Sequence, residues 1–337
     1  MSASESGKGT ARVSVVVTAY NNAMSLGECL TSLSAQSFES KDIVIVLDTS
    51  STDDTAGVVD SFSKYNDCRV VKCAGVGRSK ARNQGWRSTD SEIVMFADGD
   101  DTFERHYLAK AVESLDSNLN AGGVSVGGTA LPASNPVLRR YYRSFGGTDA
   151  RFDERVQADP GWAWVYRREC LADVGGFDES LAQAEDKDLC ARVKELGYKI
   201  SYVGGVNWYH RKPETFSGLI RKECAGGRRR VVFEAKRKDV LSVLLNLAPV
   251  AFVVLVLAVI PMAGLLPASL VLVAGVILYM LVAVLGHRTR SGSVSDTVVS
   301  SPIAVAAKLA YSLGAVYGLL ILSMARAGMS SRDLGRA

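Results

Sequence analysis

From Leu247 to Leu285 the chain carries no charged side chain, and nothing else in it limits the architecture so sharply. A helix needs about 20 apolar residues to cross a bilayer core, so this run is long enough for two crossings. Pro261 and Pro267 bracket a short Met-Ala-Gly-Leu-Leu connection. The run therefore divides into two expected transmembrane helices, about 241–260 and 267–286, joined as a tight hairpin. A third apolar segment, about 302–324, has Lys308 as its single charge and is expected to span as well, with a less deeply inserted helix as the alternative.

Charge sets the orientation. The formal net charge is +4, but Arg211–Lys238 alone holds ten Lys/Arg against three Glu, directly before the apolar region. Basic residues flanking a span favour the cytoplasmic side, and Arg288 and Arg290 follow the second helix. The expectation is a multi-pass protein of the cell membrane with its catalytic part in the cytoplasm. A third span would place the Arg-bearing C-terminus outside, against the same bias. Alternating apolar and basic positions over Thr215–Lys238 suit an interfacial amphipathic helix interrupted at Gly226-Gly227. No nucleic-acid-binding motif surrounds the block, so a nucleic-acid partner is not expected. Met1–Ala11 is small and polar, neither signal peptide nor anchor. The expected organisation is a tail (1–11), a catalytic domain (12–210), a basic interfacial segment (211–239), a transmembrane region (240–326) and a second tail (327–337). The hairpin also offers a surface for packing against a second copy.

The first 240 residues read as a soluble α/β protein. Val13–Val17 and Ile43–Leu47 are β-branched runs suited to buried parallel strands, and Arg69–Lys72 and Glu92–Phe96 are shorter strands. Between them lie helices: one capped by Ser25 and continuing to about Gln36, one capped by Asp53, and one over Gly77–Arg87. This alternation predicts a doubly wound, mostly parallel sheet, with ligands at the C-terminal ends of its strands. Tyr20, Asp48 and Asp98 stand at such ends. Between about Gly122 and Tyr166 the pattern loosens into Gly-, Arg- and aromatic-rich sequence that includes Trp162 and Trp164. Cys29, Cys68, Cys73, Cys170, Cys190 and Cys224 show neither CxxC pairing nor metal-ligand spacing, as reduced cytosolic thiols do.

Chemistry concentrates in Ile93–Asp101, where an apolar run ends in Asp98, Asp100 and Asp101. Crowded carboxylates repel unless a cation sits among them, and hard oxygens suit Mg²⁺ or Mn²⁺ held jointly with a substrate phosphate. A solvated Asp/Gly turn has the same sequence. Gly75–Gly85 lacks the third glycine of a dinucleotide fingerprint and reads instead as a loop entering a helix, with Lys80 and Arg82 near a diphosphate. A solvated basic helix face is the alternative. Glu185, Asp186 and Asp188 open a helix, where acidic residues also serve as simple dipole partners. After a strand over Lys199–Val203 comes His210, as much a structural histidine as a ligand on residue type alone.

Six ordered motifs together resemble the family 2 inverting glycosyltransferases with the nucleotide-sugar-binding GT-A fold. They are Val15–Asn22, Asp48–Asp54, Gly77–Gly85, Asp98-Gly99-Asp100, Gly175-Gly-Phe-Asp178 and Glu185–Leu189, and the resemblance runs from about 12 to 230. Two positions depart from the family: Thr18 stands where Pro is usual, and Thr49-Ser50 where Asp/Asn-Gly is usual. The resemblance implies that Tyr20 and Asp48 contact the base, with Arg82 and Asn83 near the nucleotide. Asp98 faces ribose or metal, Asp100 binds the metal, His210 reaches the metal or diphosphate, and Asp186 is the general base. Trp162, Trp164 and Glu185 are expected on the acceptor side. The implied donor is a UDP- or GDP-linked sugar with Mn²⁺ or Mg²⁺, and the implied acceptor a hydroxyl of a membrane-associated, lipid-linked glycan. A polyprenyl-phosphate glycosyl synthase is the alternative, although an ionised phosphate acceptor needs no base. A non-catalytic nucleotide-binding scaffold is the other.

Overall fold

A computed structural model describes residues 11–130, 134–145, 163–181, 185–211, 213–236, 238–263 and 294–326. The chain divides into two compact units, the first formed by 1–131 with 149–211 and the second by 132–148 with 212–337.

The first unit is built on one sheet. Strands β1 (Val13–Ala19), β2 (Lys41–Asp48), β3 (Arg69–Cys73) and β4 (Ile93–Asp98) alternate with helices α1 (Leu26–Ser34), α2 (Thr55–Ser63) and α3 (Arg78–Arg87). Then come β5 (Asp101–Phe103), α4 (Tyr107–Ser117), β6 (Ala121–Ala130), β7 (Val165–Arg167), α6 (Arg168–Asp173), α7 (Glu185–Glu195) and β8 (Lys199–His210); α5 belongs to the second unit. The sheet order is β3-β2-β1-β4-β7-β6-β8-β5. Strands β3, β2, β1 and β4 pair in parallel, as do β6 and β8, while β7 and the edge strand β5 run against their neighbours.

The period of two along each strand feeds two cores. Val15, Val17, Ile45 and Met95 pack with Leu26, Leu30, Leu33 and Leu108 on one face. Val16, Val44, Val94 and Phe96 pack with Trp86, Phe177 and Leu189 on the other. Both faces are covered, so the middle of each of these strands is a nearly continuous apolar run.

The β-α-β alternation up to β4 appears as expected, with boundary shifts. Helix α2 starts at Thr55, and Asp53 still serves its entry by accepting from the Thr55 amide (3.1 Å). Ser25 makes no side-chain cap; its hydroxyl donates to the Gly99 carbonyl at 2.9 Å and so ties α1 to the acidic turn. The strand expected over Lys199–Val203 continues to His210 as β8.

The loosened stretch contains a strand that periodicity did not reveal. Strand β6 reads Ala-Gly-Gly-Val-Ser-Val-Gly-Gly-Thr-Ala, poor in the residues strands favour. Its glycines answer a packing need. A Cβ on Gly123 would lie 2.7 Å from the Tyr166 ring, and one on Gly128 would collide with the Trp208 indole. Tyr166 and Trp208 press against the strand at Gly123 and Gly128, so side chains are excluded at those two positions. Trp162 lies outside the described residues.

In the second unit α5 (Pro136–Phe145), α8 (Phe216–Lys236), α9 (Val240–Ala263) and α10 (Val294–Arg326) pack as helices. Gly226-Gly227 does not interrupt α8, which is one helix from Phe216 to Lys236. The glycines are instead where α10 crosses closely: a Cβ on Gly227 would collide with the Tyr311 carbonyl oxygen. The first expected span falls on α9, whose backbone continues through Pro261 to Ala263. The second, 267–286, lies outside the described residues. Among the described residues one helix is long and apolar enough to cross a membrane, Pro302–Ser323 within α10.

Gly85 lets α3 lie directly on the sheet: a Cβ there would collide with Val16 Cγ1 and lie 2.9 Å from Val46 Cγ2. Gly85→Val is expected to cost about 1–3 kcal/mol by overpacking, read as a lower midpoint of thermal or urea unfolding.

Candidate active site

At the centre of the first unit is a guanidinium with no solvent exposure. Arg82, in the second turn of α3, donates from Nη2 to Asp98 Oδ1 at 2.6 Å and from Nη1 to Glu185 Oε1 at 2.9 Å. Its plane lies over Trp164 and Phe177, with centroid distances of 5.0 and 5.3 Å. Among the described residues Arg82 Nε has no hydrogen-bond partner. Arg78, one turn earlier on the same face and nearly half exposed, reaches Glu185 Oε1 at 3.4 Å and Asp98 Oδ2 at 4.0 Å. Three elements distant in sequence, α3, the end of β4 and the start of α7, are thereby joined through charge.

Burial pushes the Asp98 carboxyl up, but Arg82 and Arg78 outweigh it and hold the group well below the usual carboxylate range. Asp98 is fully ionised at neutral pH. Thr18, paired with Asp98 across the parallel β1–β4 ladder, adds a hydroxyl donor at 3.4 Å. A proline at position 18 would offer no such donor.

Immediately after Asp98 the chain turns into β5, and the antiparallel register sets Asp101 opposite His210 on β8. His210 Nδ1 is 2.8 Å from Asp101 Oδ1 and 3.8 Å from Asp100 Oδ2. One ligand atom from each of Asp100, Asp101 and His210 falls within 4.8 Å of the others. Two carboxylates and an imidazole are a donor set that suits Mn²⁺ or Mg²⁺. Burial raises the Asp101 carboxyl to about 7; Asp98 and Asp100 add to that, against the His210 hydrogen bond. Glu104 braces this edge, accepting from the Asn207 amide (3.0 Å), the Asn207 side chain (3.1 Å) and Tyr209 OH (2.5 Å).

The expected set separates under this geometry. Asp98, Asp100, Arg82, Glu185 and His210 converge. The acidic side chains grouped with His210 are Asp100 and Asp101, while Asp98, expected at ribose or metal, is bonded to Arg82. Glu185, expected beside an acceptor, is 3 % exposed and is the partner of Arg82. Trp164 is likewise part of the core, stacked on Arg82 and edge-on to Trp208. Asn83, expected near the nucleotide, is bonded within the protein. It donates to the Phe177 carbonyl (2.9 Å) and Glu179 (3.0 Å), and accepts from the Phe177 amide (2.9 Å) and Trp86 (3.1 Å). It thereby pins the Gly-Gly-Phe-Asp turn, where Gly176 has φ +78° and a Cβ would lie 2.5 Å from Asn83 Oδ1. Lys80 is exposed, and its charge helps hold the Glu179 carboxyl below its ordinary value after the Asn83 and Arg87 bonds.

On the other side of β1, Asp48 is buried at the end of β2. Its Oδ1 accepts from the Ser50 amide (2.9 Å), the Ser50 hydroxyl (2.7 Å) and the Gly75 amide (2.9 Å). Burial raises this carboxyl, and the three donors more than offset it, leaving it below its ordinary value. The unusual Thr49-Ser50 pair thus knits this loop to the one after β3, where Thr49 donates to the Cys73 carbonyl at 2.9 Å. Tyr20 is exposed above it. Asp186, first-turn neighbour of Glu185, is half-buried, and burial, then Glu185, pushes its carboxyl up from the ordinary range. Arg78 was missed as a site residue, and Asp101, named in the carboxylate cluster, was not paired with His210; the register that joins them spans more than a hundred residues and is invisible in local sequence.

Residues 14–175 match the family described as Glycosyl transferase family 2. The first unit thus carries a stretch similar to family 2 glycosyltransferases, and the chain's curated relatives support a glycosyltransferase. Glu185, Asp186 and His210 lie beyond the matched residues, yet in the same unit. Among curated relatives, the probable glycosyltransferase YdaM of Bacillus subtilis is 28% identical over 255 residues, covering 68% of this chain and 60% of the relative. A glucosyl-dolichyl phosphate glucuronosyltransferase of Haloferax volcanii is 28% identical over 211 residues, covering 57% and 66%. This chain thus spans about 60% of the length of the Bacillus relative. Among solved structures, the mannosyltransferase PcManGT of Pyrobaculum calidifontis, in complex with GDP-Man and Mn²⁺, aligns over 92% of this chain and 88% of its own. Its TM-score is 0.62 at 22% identity, a likeness of fold.

Removing the Glu185 carboxylate leaves Arg82 buried with half its neutralising partners. Glu185→Ala is expected to lower stability by about 3–5 kcal/mol in denaturant unfolding. Glu185→Gln, whose amide oxygen still accepts, should lose less.

Proposed function

We propose that the chain is a metal-dependent, inverting transferase that moves a sugar from a nucleotide-sugar donor to a hydroxyl of a membrane-associated, lipid-linked acceptor. The observation that carries this reading is the convergence at one strand end: ionised Asp98 held by Arg82, the Asp100–Asp101–His210 donor set beside it, and Asp186 next to Glu185. A carboxylate strand end in a mostly parallel sheet is where such a fold receives its ligand.

Asp100, Asp101 and His210 would hold Mn²⁺ or Mg²⁺, which when bound offsets negative charge on a diphosphate leaving group. The protein's own contribution on that side is Arg78. Arg82 has both terminal nitrogens engaged and no exposure, whereas Arg78 is accessible beside it and so able to meet a diphosphate. Asp48 and Tyr20 frame the base. Transfer forms a bond from the acceptor oxygen to the anomeric carbon while the bond to the diphosphate breaks and carries its electrons away. The acceptor proton passes to Asp186. A carboxyl with a raised value is a better proton acceptor than an exposed one, because its conjugate acid is stronger bound. The mannosyltransferase structure contains GDP-Man and Mn²⁺, and the Haloferax relative is named for a glucosyl-dolichyl phosphate, which supports a sugar-nucleotide donor and a lipid-linked acceptor. The basic helix α8 before the apolar helices supports a membrane location.

Full-length protein screened against UDP- and GDP-sugars is expected to hydrolyse or transfer one of them only with Mn²⁺ or Mg²⁺, and chelation should abolish turnover. Asp186→Asn should reduce kcat about 10²–10⁴-fold on a hydroxyl acceptor. Full activity of that variant on a polyprenyl phosphate would instead establish the phosphate-acceptor synthase.

The pH profile gives a separate check. Asp186 must be ionised to act as base, and its carboxyl lies above the ordinary value, so kcat should fall as pH drops through a point above about 4. An acid limb at or below that point would remove Asp186 from the role.

A further inference from the structure

Helix α10 contains the described segment that is long and apolar enough to cross a bilayer, yet its packing directs it elsewhere. It lies along the basic helix α8 in backbone contact. Leu219 shares an apolar cluster with Ala304 and Ala307. Further along, a Cβ on Gly227 would collide with the Tyr311 carbonyl and lie 3.1 Å from the Ala315 amide. A Cβ on Gly314 would collide with the Cys224 carbonyl, and one on Gly318 with the Arg228 carbonyl, 2.8 Å from Val231 Cγ1.

Partner numbers rise together on the two helices, from 219 with 304 to 231 with 318, so they run parallel. At 1.5 Å per residue the shared path is about 20 Å. With glycine contacts at several turns, α10 must follow the direction of α8 over that path.

Helix α8 cannot run through hydrocarbon. Arg221 and Lys222 are exposed, and Glu223, Arg228 and Arg230 follow within three turns. Charges at bilayer depth are expelled to the interface. What α8 does, α10 does beside it. The opposite side of α10 is apolar: Leu313 and Leu320 are each more than half exposed, as are Leu244 and Leu245 on α9. Polar bonds gather inward, where Ser312 donates to the Asn246 carbonyl (2.6 Å) and Asn246 to Glu234 (2.8 Å). Arg228 lies over the Tyr317 ring and Lys308 over that of Tyr311.

We propose that α10 lies flat in the membrane interface alongside α8, with Leu313 and Leu320 against the acyl chains and the neighbouring basic residues at anionic headgroups, and does not cross the bilayer. This rests on the membrane location proposed above. It also removes a conflict of charge, since the C-terminal arginines then stay on the membrane face that holds Arg211–Lys238.

The test reconstitutes the full chain into vesicles of neutral and anionic phospholipid, with a depth-sensitive fluorophore on Leu313→Cys or on Leu320→Cys and the labelled wild-type protein as background. Both positions are exposed on α10, so neither change disturbs the glycine contacts. A flat helix puts the two labels at equal depth, whereas a crossing helix separates them by about 10 Å over seven residues. Equal, shallow depths support the proposal; a separation near 10 Å overturns it while leaving the membrane location intact. Failure of the protein to pellet with either vesicle overturns both. An epitope placed after Ala337 gives a second readout: protection on the face opposite the basic block would also overturn the flat placement.

Discussion

The first unit depends on one buried cation. Arg82 reaches Asp98 at the end of β4 and Glu185 at the start of α7, and it does so without solvent. A guanidinium in such a place is costly unless its charge is matched and its donors are satisfied. Here two carboxylates and two aromatic faces supply the match. The interaction adds little net stability compared with an apolar substitute, but it fixes which elements meet. Asp98 stays ionised, α7 is drawn to the strand end, and Asp186 arrives beside Glu185 as a consequence. The same logic repeats at a smaller scale in Asn83, whose four bonds hold the Gly-Gly-Phe-Asp turn against α3.

Half of the fold was legible because it follows local rules. Val13–Val17 and Ile43–Leu47 can only be doubly covered strands, and the helices between them carry their apolar stripe at helical spacing. Strand β6 broke those rules for a nonlocal reason: its glycines are dictated by Tyr166 and Trp208, which approach from other strands. Gly226-Gly227 misled in the same way. Read locally a glycine pair ends a helix, whereas the structure uses it as a crossing point for α10.

The site divides along the same line. Asp98 and Asp100 were visible because the motif is contiguous, and His210 because the family resemblance pointed to it. The partner of Arg82 was not, since Glu185 is more than a hundred residues away and an acidic first turn has an ordinary explanation. Arg78 was overlooked beside the more familiar Ala-Arg-Asn motif, whose Asn83 the structure shows bonded to the Gly-Gly-Phe-Asp turn. A motif records which residues occur together. It does not record whether they face a ligand or one another.

Charge accounting then argues for how the site is completed. Asp98, Asp100, Asp101, Glu185 and Asp186 are gathered around Arg78, Arg82 and His210, so formal negative charge exceeds formal positive charge. The two guanidiniums settle Asp98 and Glu185 and leave Asp100 and Asp101 to one imidazole. Asp101 rises toward neutrality chiefly because it is buried, and the neighbouring Asp98 and Asp100 charges add to that rise. A phosphorylated donor would deepen the deficit, because it brings anionic oxygens of its own. A donor and a divalent cation arriving together would relieve it, each supplying what the other lacks. On this argument the carboxylates of the β4–β5 turn are poised for a metal–nucleotide pair, and neither partner alone satisfies the charges that Arg82 leaves over.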